Sequence, residues 1–106
     1  MTIRELLTAI SPAPVSDAFI KSIGTEVGVD MDSDVSKVGI EPVDRARARL
    51  YLFLATVPNI SEGGVSITFT ADDKKVFLNL ARKYATRAGE TGLVPGVAYG
   101  YKGENL

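Results

Sequence analysis

Asp30, Asp32 and Asp34, with Glu41 at the twelfth position, repeat part of the oxygen-ligand spacing of a calcium-binding EF-hand loop. Carboxylates so spaced could wrap a hard cation, and helical patterns flank the segment on both sides. The sixth position argues against it. The sharp turn there needs glycine, and the residue is Val35, a poor occupant of positive φ. Val38 stands where the ninth position usually carries a polar group, and Pro42 follows where the exiting helix should already run. A solvated acidic loop is the preferred reading, and no metal ligands are assigned.

Arg45, Arg47 and Arg49 are the second cluster that could do chemistry, as contacts to phosphate. On a helix, Arg45 and Arg49 share a face at i, i+4, whereas Arg47 points away from both. Lys74, Lys75, Arg82, Lys83 and Arg87 add positive charge to a later helical stretch. The chain as a whole is acidic, with a pI near 5.3, so the electrostatic footprint of a dedicated DNA binder is weak and nucleic acid is not the expected partner. Solvated helix faces, or contacts to the acidic half of a neighbour, account for these residues as well.

Covalent catalysis has little to work with. The sequence holds no cysteine and no histidine, which removes thiolate nucleophiles, disulfides, the commonest metal ligand and the usual neutral-pH base. No glycine-rich loop carries the lysine of a phosphate cradle; Ser61-Glu62-Gly63-Gly64 reads as a turn. Asp72 and Asp73 fall at a helix start, where the macrodipole favours them. The expectation is a non-enzymatic protein with no catalytic residues and no cofactor.

With 106 residues, 45% of them hydrophobic and 24% charged, the chain suits one globular domain. The net charge of −1 is unevenly spread: residues 1–44 carry three basic and eight acidic groups, a net of −5, and residues 45–88 carry eight and three, a net of +5. Pairing inside one fold is the plainer way to satisfy this split, and head-to-tail packing of copies is the other. The longest apolar run, residues 50–55, is far short of the ~20 residues that span a bilayer. No membrane contact and a cytoplasmic location are expected.

Periodicity predicts four helices. Thr2 and Glu5 form a capping box ahead of Ile3, Leu6, Leu7 and Ile10. Ser16 caps a second helix built on Phe19, Ile20 and Ile23, with Gly24 and Gly28 near its end. Residues 30–41 read as a polar loop. A third helix starts at Pro42 and buries Val43, Ala46, Leu50, Phe53, Leu54 and Val57, ending at Pro58-Asn59. Thr70 and Asp73 open the last, with an apolar stripe of Phe77, Leu80, Ala81, Tyr84 and Ala88, with Lys75, Asn79, Arg82 and Thr86 facing water. Between the two long helices Val65, Ile67 and Phe69 alternate with Ser66, Thr68 and Thr70, a strand pattern.

That strand needs hydrogen-bond partners. The tail around Leu93-Val94 or Val97-Tyr99, the 35–40 loop, or a second copy of the chain could supply them. Pairing within the chain is the default; the intermolecular option stays open because both in-chain candidates are short and broken by glycine or proline. Val65, Ile67 and Phe69, with Arg45 and Arg49, are therefore the candidate interface residues.

The run Ala48-Arg49-Leu50-Tyr51-Leu52-Phe53-Leu54-Ala55, then Pro58-Asn59-Ile60-Ser61-Glu62-Gly63-Gly64-Val65-Ser66-Ile67-Thr68-Phe69, then residues 75–84, resembles a family of small prophage-encoded proteins similar to tailed-phage head–tail connector (neck adaptor) proteins. The resemblance covers residues 42–88 well and the acidic first half loosely. It implies a mainly α, four-helix connector-like domain over residues 1–90, with one short β element, strand or hairpin, between the last two long helices. Residues 91–106 would be a flexible C-terminal tail. It further implies a structural subunit, a homo-oligomer able to form a ring, with phage portal or tail proteins as partners and the virion as destination. A small helical DNA-binding or regulatory module is the alternative.

Overall fold

The computed structural model describes residues 1–57 and 68–90 in full, and residues 60–62 and 65–67 as backbone. The chain is mainly helical, and every described helix but the one that starts at Ile40 begins where a side chain accepts from a first-turn amide. Helix α1 (Ile3–Ile10) has the complete capping box: Thr2 Oγ1 accepts from the Glu5 amide at 3.1 Å, and Glu5 Oε1 accepts from the Thr2 amide at 2.8 Å. Its remaining first-turn amides go elsewhere. Ile3 N–H donates to the Ser33 carbonyl (3.1 Å) and Arg4 N–H to the Met31 carbonyl (2.8 Å), so a loop nearly thirty residues downstream completes the cap.

Helix α2 (Asp17–Val27) starts at Ser16, whose hydroxyl accepts from the Phe19 amide, and ends at Gly28. The expected polar loop over residues 30–41 is instead interrupted by helix α3 (Val35–Val38). Asp34 nucleates it, its Oδ1 accepting from both the amide (2.9 Å) and the hydroxyl (2.6 Å) of Ser36. Val35 and Val38 pack against the core, and that burial holds a single turn too short to stand alone. Gly39, at φ 95° and ψ 164°, occupies a region essentially closed to other residues and separates α3 from α4 (Ile40–Thr56).

The second correction concerns the strand. Strand β2 (Val65–Ile67) is shorter than the pattern over residues 65–70, and its partner is β1 (Ile60–Glu62), in the stretch read as a turn. The pairing is antiparallel, with Ile60 opposite Ile67, Ser61 opposite Ser66 and Glu62 opposite Val65. Neither the tail, the 35–40 loop nor a second copy is needed. Two residues separate the strands, and they are Gly63 and Gly64 in sequence, the type that two-residue hairpin connections favour. Such short-range closure costs the least entropy. Thr68 to Thr70 leave the ladder to set up the cap of α5 (Ala71–Arg87), where Thr70 and Asp73 form a second capping box.

Helix α4 is the centre of the fold. Val43, Ala46, Leu50 and Leu54 are buried against Ile3 and Leu7 of α1, Ile20 and Ile23 of α2, and Met31. Its opposite side meets α5 through a second cluster, Ala48 with Ala81 and Ala85, where small side chains let two helices approach closely. Ala85 lies outside the expected α5 stripe, and Arg82, expected to face water, is half-buried. The expected helix stop at Pro58-Asn59, the Gly63-Gly64 turn and the tail over residues 91–106 lie outside the described residues. Among the described residues, no helix is long and apolar enough to cross a membrane.

Gly24 marks the tightest point of the α2 end. A Cβ there would stand 2.9 Å from the Val29 carbonyl oxygen and 3.0 Å from Met31 Cγ. Gly24→Ala is therefore expected to destabilise by about 1–3 kcal/mol through overpacking, although alanine is the better helix former. Urea denaturation monitored by far-UV circular dichroism checks this; a neutral or stabilising result would show that Met31 and the 28–31 turn yield freely.

Candidate functional site

The densest arrangement of charge lies where α4 and α5 run side by side. Asp44, near the start of α4, is only 2% exposed. Its Oδ1 accepts from Arg47 Nη1 at 3.0 Å, and its Oδ2 lies 3.3 Å from Arg87 Nε at the end of α5. Further along, Tyr51 of α4 stacks on both Tyr84 (ring centroids 5.9 Å apart) and Phe77 (6.3 Å) of α5. The order of these contacts makes the two helices antiparallel.

Tyr84 also serves as a platform for cations. The guanidinium carbons of Arg47 and Arg87 lie 5.3 and 5.5 Å from its ring centroid, and Lys83 Nζ lies 5.7 Å away. Three cations thus share one ring and, for the two arginines, one buried carboxylate. Burial, then the neighbouring Tyr84, pushes the Tyr51 hydroxyl up from its usual value, with Arg47 opposing. Asp44 and Tyr84 were absent from the candidate residues. The signal that could have found them is the Asp44/Arg47 spacing of i, i+3, which puts both on one helix face.

The expected interface residues are split up. Arg49 is an internal clamp rather than a free face. Its Nη1 and Nη2 donate to the two carboxylate oxygens of Glu90 at 2.7 and 2.9 Å, and its Nε donates to Glu26 of α2 at 2.9 Å. Its side chain is 12% exposed. Arg45 pairs with Glu41 at 3.3 Å and lies 4.0 Å from Glu90. The pairing with Glu90 first, and Coulomb attraction to it next, raise the Arg49 pKa, and Arg49 correspondingly holds the Glu90 carboxyl below its ordinary value. Phe69 turns inward, meeting Phe77 edge-on at 4.8 Å. Val65 and Ile67 sit in β2, and their side chains lie outside the described residues.

The acidic residues of the calcium-like spacing do not converge. Asp30 accepts from the Asp32 amide, Asp32 pairs with Arg4, and Asp34 caps α3. Arg4 also bonds Asp17. The hydroxyl and amide of Ser36, with the Met1 amino group behind them, pull the Asp34 carboxyl down to about 2. Among the described residues, no group of three or more aspartates and glutamates is placed to hold a metal ion. A cleft of about 400 Å³ opens near this loop, but the arginine that lines it is already held by Asp17 and Asp32.

A second groove, of about 350 Å³, lies beside the Asp44 cluster. Leu6, Val35, Gly39, Ile40 and Val43 line it, and Arg47 forms its charged rim. Arg47 thus belongs both to the groove and to the cation–aromatic cluster. The arrangement offers an apolar floor with a guanidinium at one wall.

The sequence profile of a family described as being of unknown function (DUF6706) matches residues 1–92. No curated protein and no solved structure matches the chain. The matched span takes in α1 to α5 and the Glu90 clamp.

Two outcomes follow from the electrostatics. Replacing Arg47 and Arg87 together by methionine strands a buried carboxylate and is expected to cost about 3–5 kcal/mol. Asp44→Ala leaves two partly exposed arginines and should cost only about 1–3 kcal/mol. Urea titrations of both variants check the order, and equal losses would contradict it. The second outcome concerns pH. Because Glu90 is depressed in the folded chain, its contribution is complete above the ordinary glutamate value of 4.5 and is lost as pH falls through the lowered value. Glu90→Gln should therefore lower the melting temperature at neutral pH and flatten its fall in acid, leaving the Asp34 titration in place.

Proposed function

The chain belongs to the DUF6706 family, described as being of unknown function; from the resemblance of residues 42–88 to connector proteins we propose that it is a non-enzymatic structural subunit, a head–tail connector-like protein of a tailed phage that assembles with copies of itself. The observation that carries the reading is a two-stranded hairpin held between two long, mutually clamped helices. A short β element between the last two long helices is what the connector resemblance over residues 42–88 calls for, and the hairpin supports the reading to that extent. The helical frame is well braced by Arg49, Asp44 and the alanine contact of α4 with α5. The hairpin pairs only three residues on each side, and a two-stranded ribbon of that size is marginal alone in water.

Pairing of β2 with β1 removes the need for an outside strand, so the reading rests on edges instead. Among the described residues no third strand joins the hairpin, which leaves one unpaired edge on each strand for β-augmentation. In an antiparallel hairpin with a two-residue connection, the pair flanking the turn is the hydrogen-bonded one. Ser61 and Ser66, one step further, then direct their backbone groups outward. A neighbour's strand or a portal segment would dock there, giving a head-to-tail contact that closes into a ring. The virion would be the place of work.

One observation favours a second reading, a small helical DNA-binding or regulatory module. On α5, Lys75, Asn79 and Lys83 are exposed and Arg82 half-exposed along one stripe, and among the described residues no carboxylate pairs with these cations.

Sedimentation velocity of the full chain across a wide concentration series separates the two. The connector reading expects concentration-dependent association that Ser66→Pro abolishes while the melting temperature and helical signal persist, since the lost N–H faces outward. A wild-type chain that remains monomeric throughout, and instead binds DNA with affinity falling steeply in salt, would overturn the connector reading.

A further inference from the structure

Three cations crowd the Tyr84 ring where α4 meets the last turns of α5, and among the described residues they have one carboxylate between them. Lys83 and Arg87 stand one turn apart on α5, a like-charge spacing that by itself destabilises a helix. Arg47 reaches the same ring from α4, so that all three charge centres lie within 5.7 Å of one centroid. We infer that this cluster is a binding site for a dianionic phosphate group, the kind carried by a phosphate monoester.

Charge balance selects the ligand. Asp44 neutralises one of the three cations, which leaves a surplus of two positive charges. Among the described residues no carboxylate pairs with Lys83, and none but Asp44 pairs with Arg47 or Arg87. A phosphate monoester carries about −1.5 to −2 at neutral pH and matches that surplus, whereas a lone carboxylate or a phosphodiester supplies only one charge. Arginine's planar fork also suits phosphate oxygens, two of which it can engage at once.

The donors are both accessible and held in place. Arg47 uses Nη1 on Asp44, and Arg87 faces the same carboxylate with Nε. Among the described residues the rest of each guanidinium, and the Lys83 ammonium, have no acceptor. Arg87 is 47% exposed and Arg47 21%, and Lys83 is exposed, so a ligand reaches all three from solvent. Asp44, 2% exposed, fixes the two guanidiniums from the buried side, and Tyr84 is itself held by the stacked ring of Tyr51. Cations already gathered in this way lose little freedom on binding.

The site requires neither self-association nor a nucleic-acid strand, and its test stands apart from both readings above. The full chain is titrated with methyl phosphate at neutral pH and fixed ionic strength while its amide NMR shifts are followed. Saturable shifts centred on Arg47, Lys83, Tyr84 and Arg87 are expected, with the monoanionic diester dimethyl phosphate binding clearly more weakly. Lys83→Gln removes one cation without touching the Asp44 pairs and should weaken methyl phosphate about tenfold, the fold-change of one charge-assisted hydrogen bond. Lys75→Gln, an exposed lysine more than two turns away on the same helix, should leave the affinity unchanged. Shifts that grow without saturating, or that respond equally to both substitutions, would reflect general screening and overturn the inference. Dimethyl phosphate bound as tightly as the monoester would overturn it too, and would make a diester backbone the better occupant. Saturable monoester binding by a chain that sediments as a monomer upholds the site even where the assembly reading fails.

Discussion

The burial of α4 on two sides is the constraint from which the other contacts follow. A helix that packs Val43, Ala46, Leu50 and Leu54 into one cluster and Ala48 into another must be enclosed by several elements at once. Helices α1 and α2 and residue Met31 close the first side, and α5 closes the second. Neither side suffices alone. Helix α1 has eight residues, below the length at which an isolated helix holds in water, and it persists because Ile3 and Leu7 are fully buried against α4. The aromatic contacts extend the same logic: Phe53 meets Phe19 of α2 while Tyr51, on another face, meets Tyr84 and Phe77.

Charge is organised around the same helix. The acidic first part of the sequence and the basic second part are joined by Arg49 to Glu26 and by Arg87 to Asp44. Part of the charge split is thus satisfied inside the fold, where proximity comes at no cost in association entropy. The pairs differ in weight. Arg4 reaches Asp32 and Asp17 across open surface, where both carboxylates are largely exposed and screening leaves little net gain. The Arg49–Glu90 fork is two-pronged and mostly shielded, the geometry in which such a pair contributes most.

Helix positions were largely legible because capping chemistry is local. Thr2 with Glu5, Ser16, and Thr70 with Asp73 each announce a helix start within four residues. What escaped depends on contacts distant in sequence. Helix α3 is a single turn that stands on an Asp34 cap and on Val35 and Val38 packing, and no four-residue window shows that periodicity. The partner of β2 was missed because Ser61 and Glu62, beside two glycines in the sequence, look like turn residues rather than strand residues. Arg45 and Arg49 were correctly placed on one face. Which face is solvent depends on Glu26 and Glu90, twenty-three and forty-one residues from Arg49, and spacing alone does not encode that.

The cap of α1 has a consequence for the order in which the chain can become structured. Two of its first-turn amides are satisfied only by the carbonyls of Met31 and Ser33, and Val35 in turn donates to the Met1 carbonyl. In a nascent chain, α1 therefore stays incompletely hydrogen-bonded until the residues around position 35 have emerged. Its hydrophobic seat on α4 arrives later still. Helix α1 is thus synthesised before the residues that secure it, and until they arrive it is a partner-seeking amphipathic peptide rather than a finished helix.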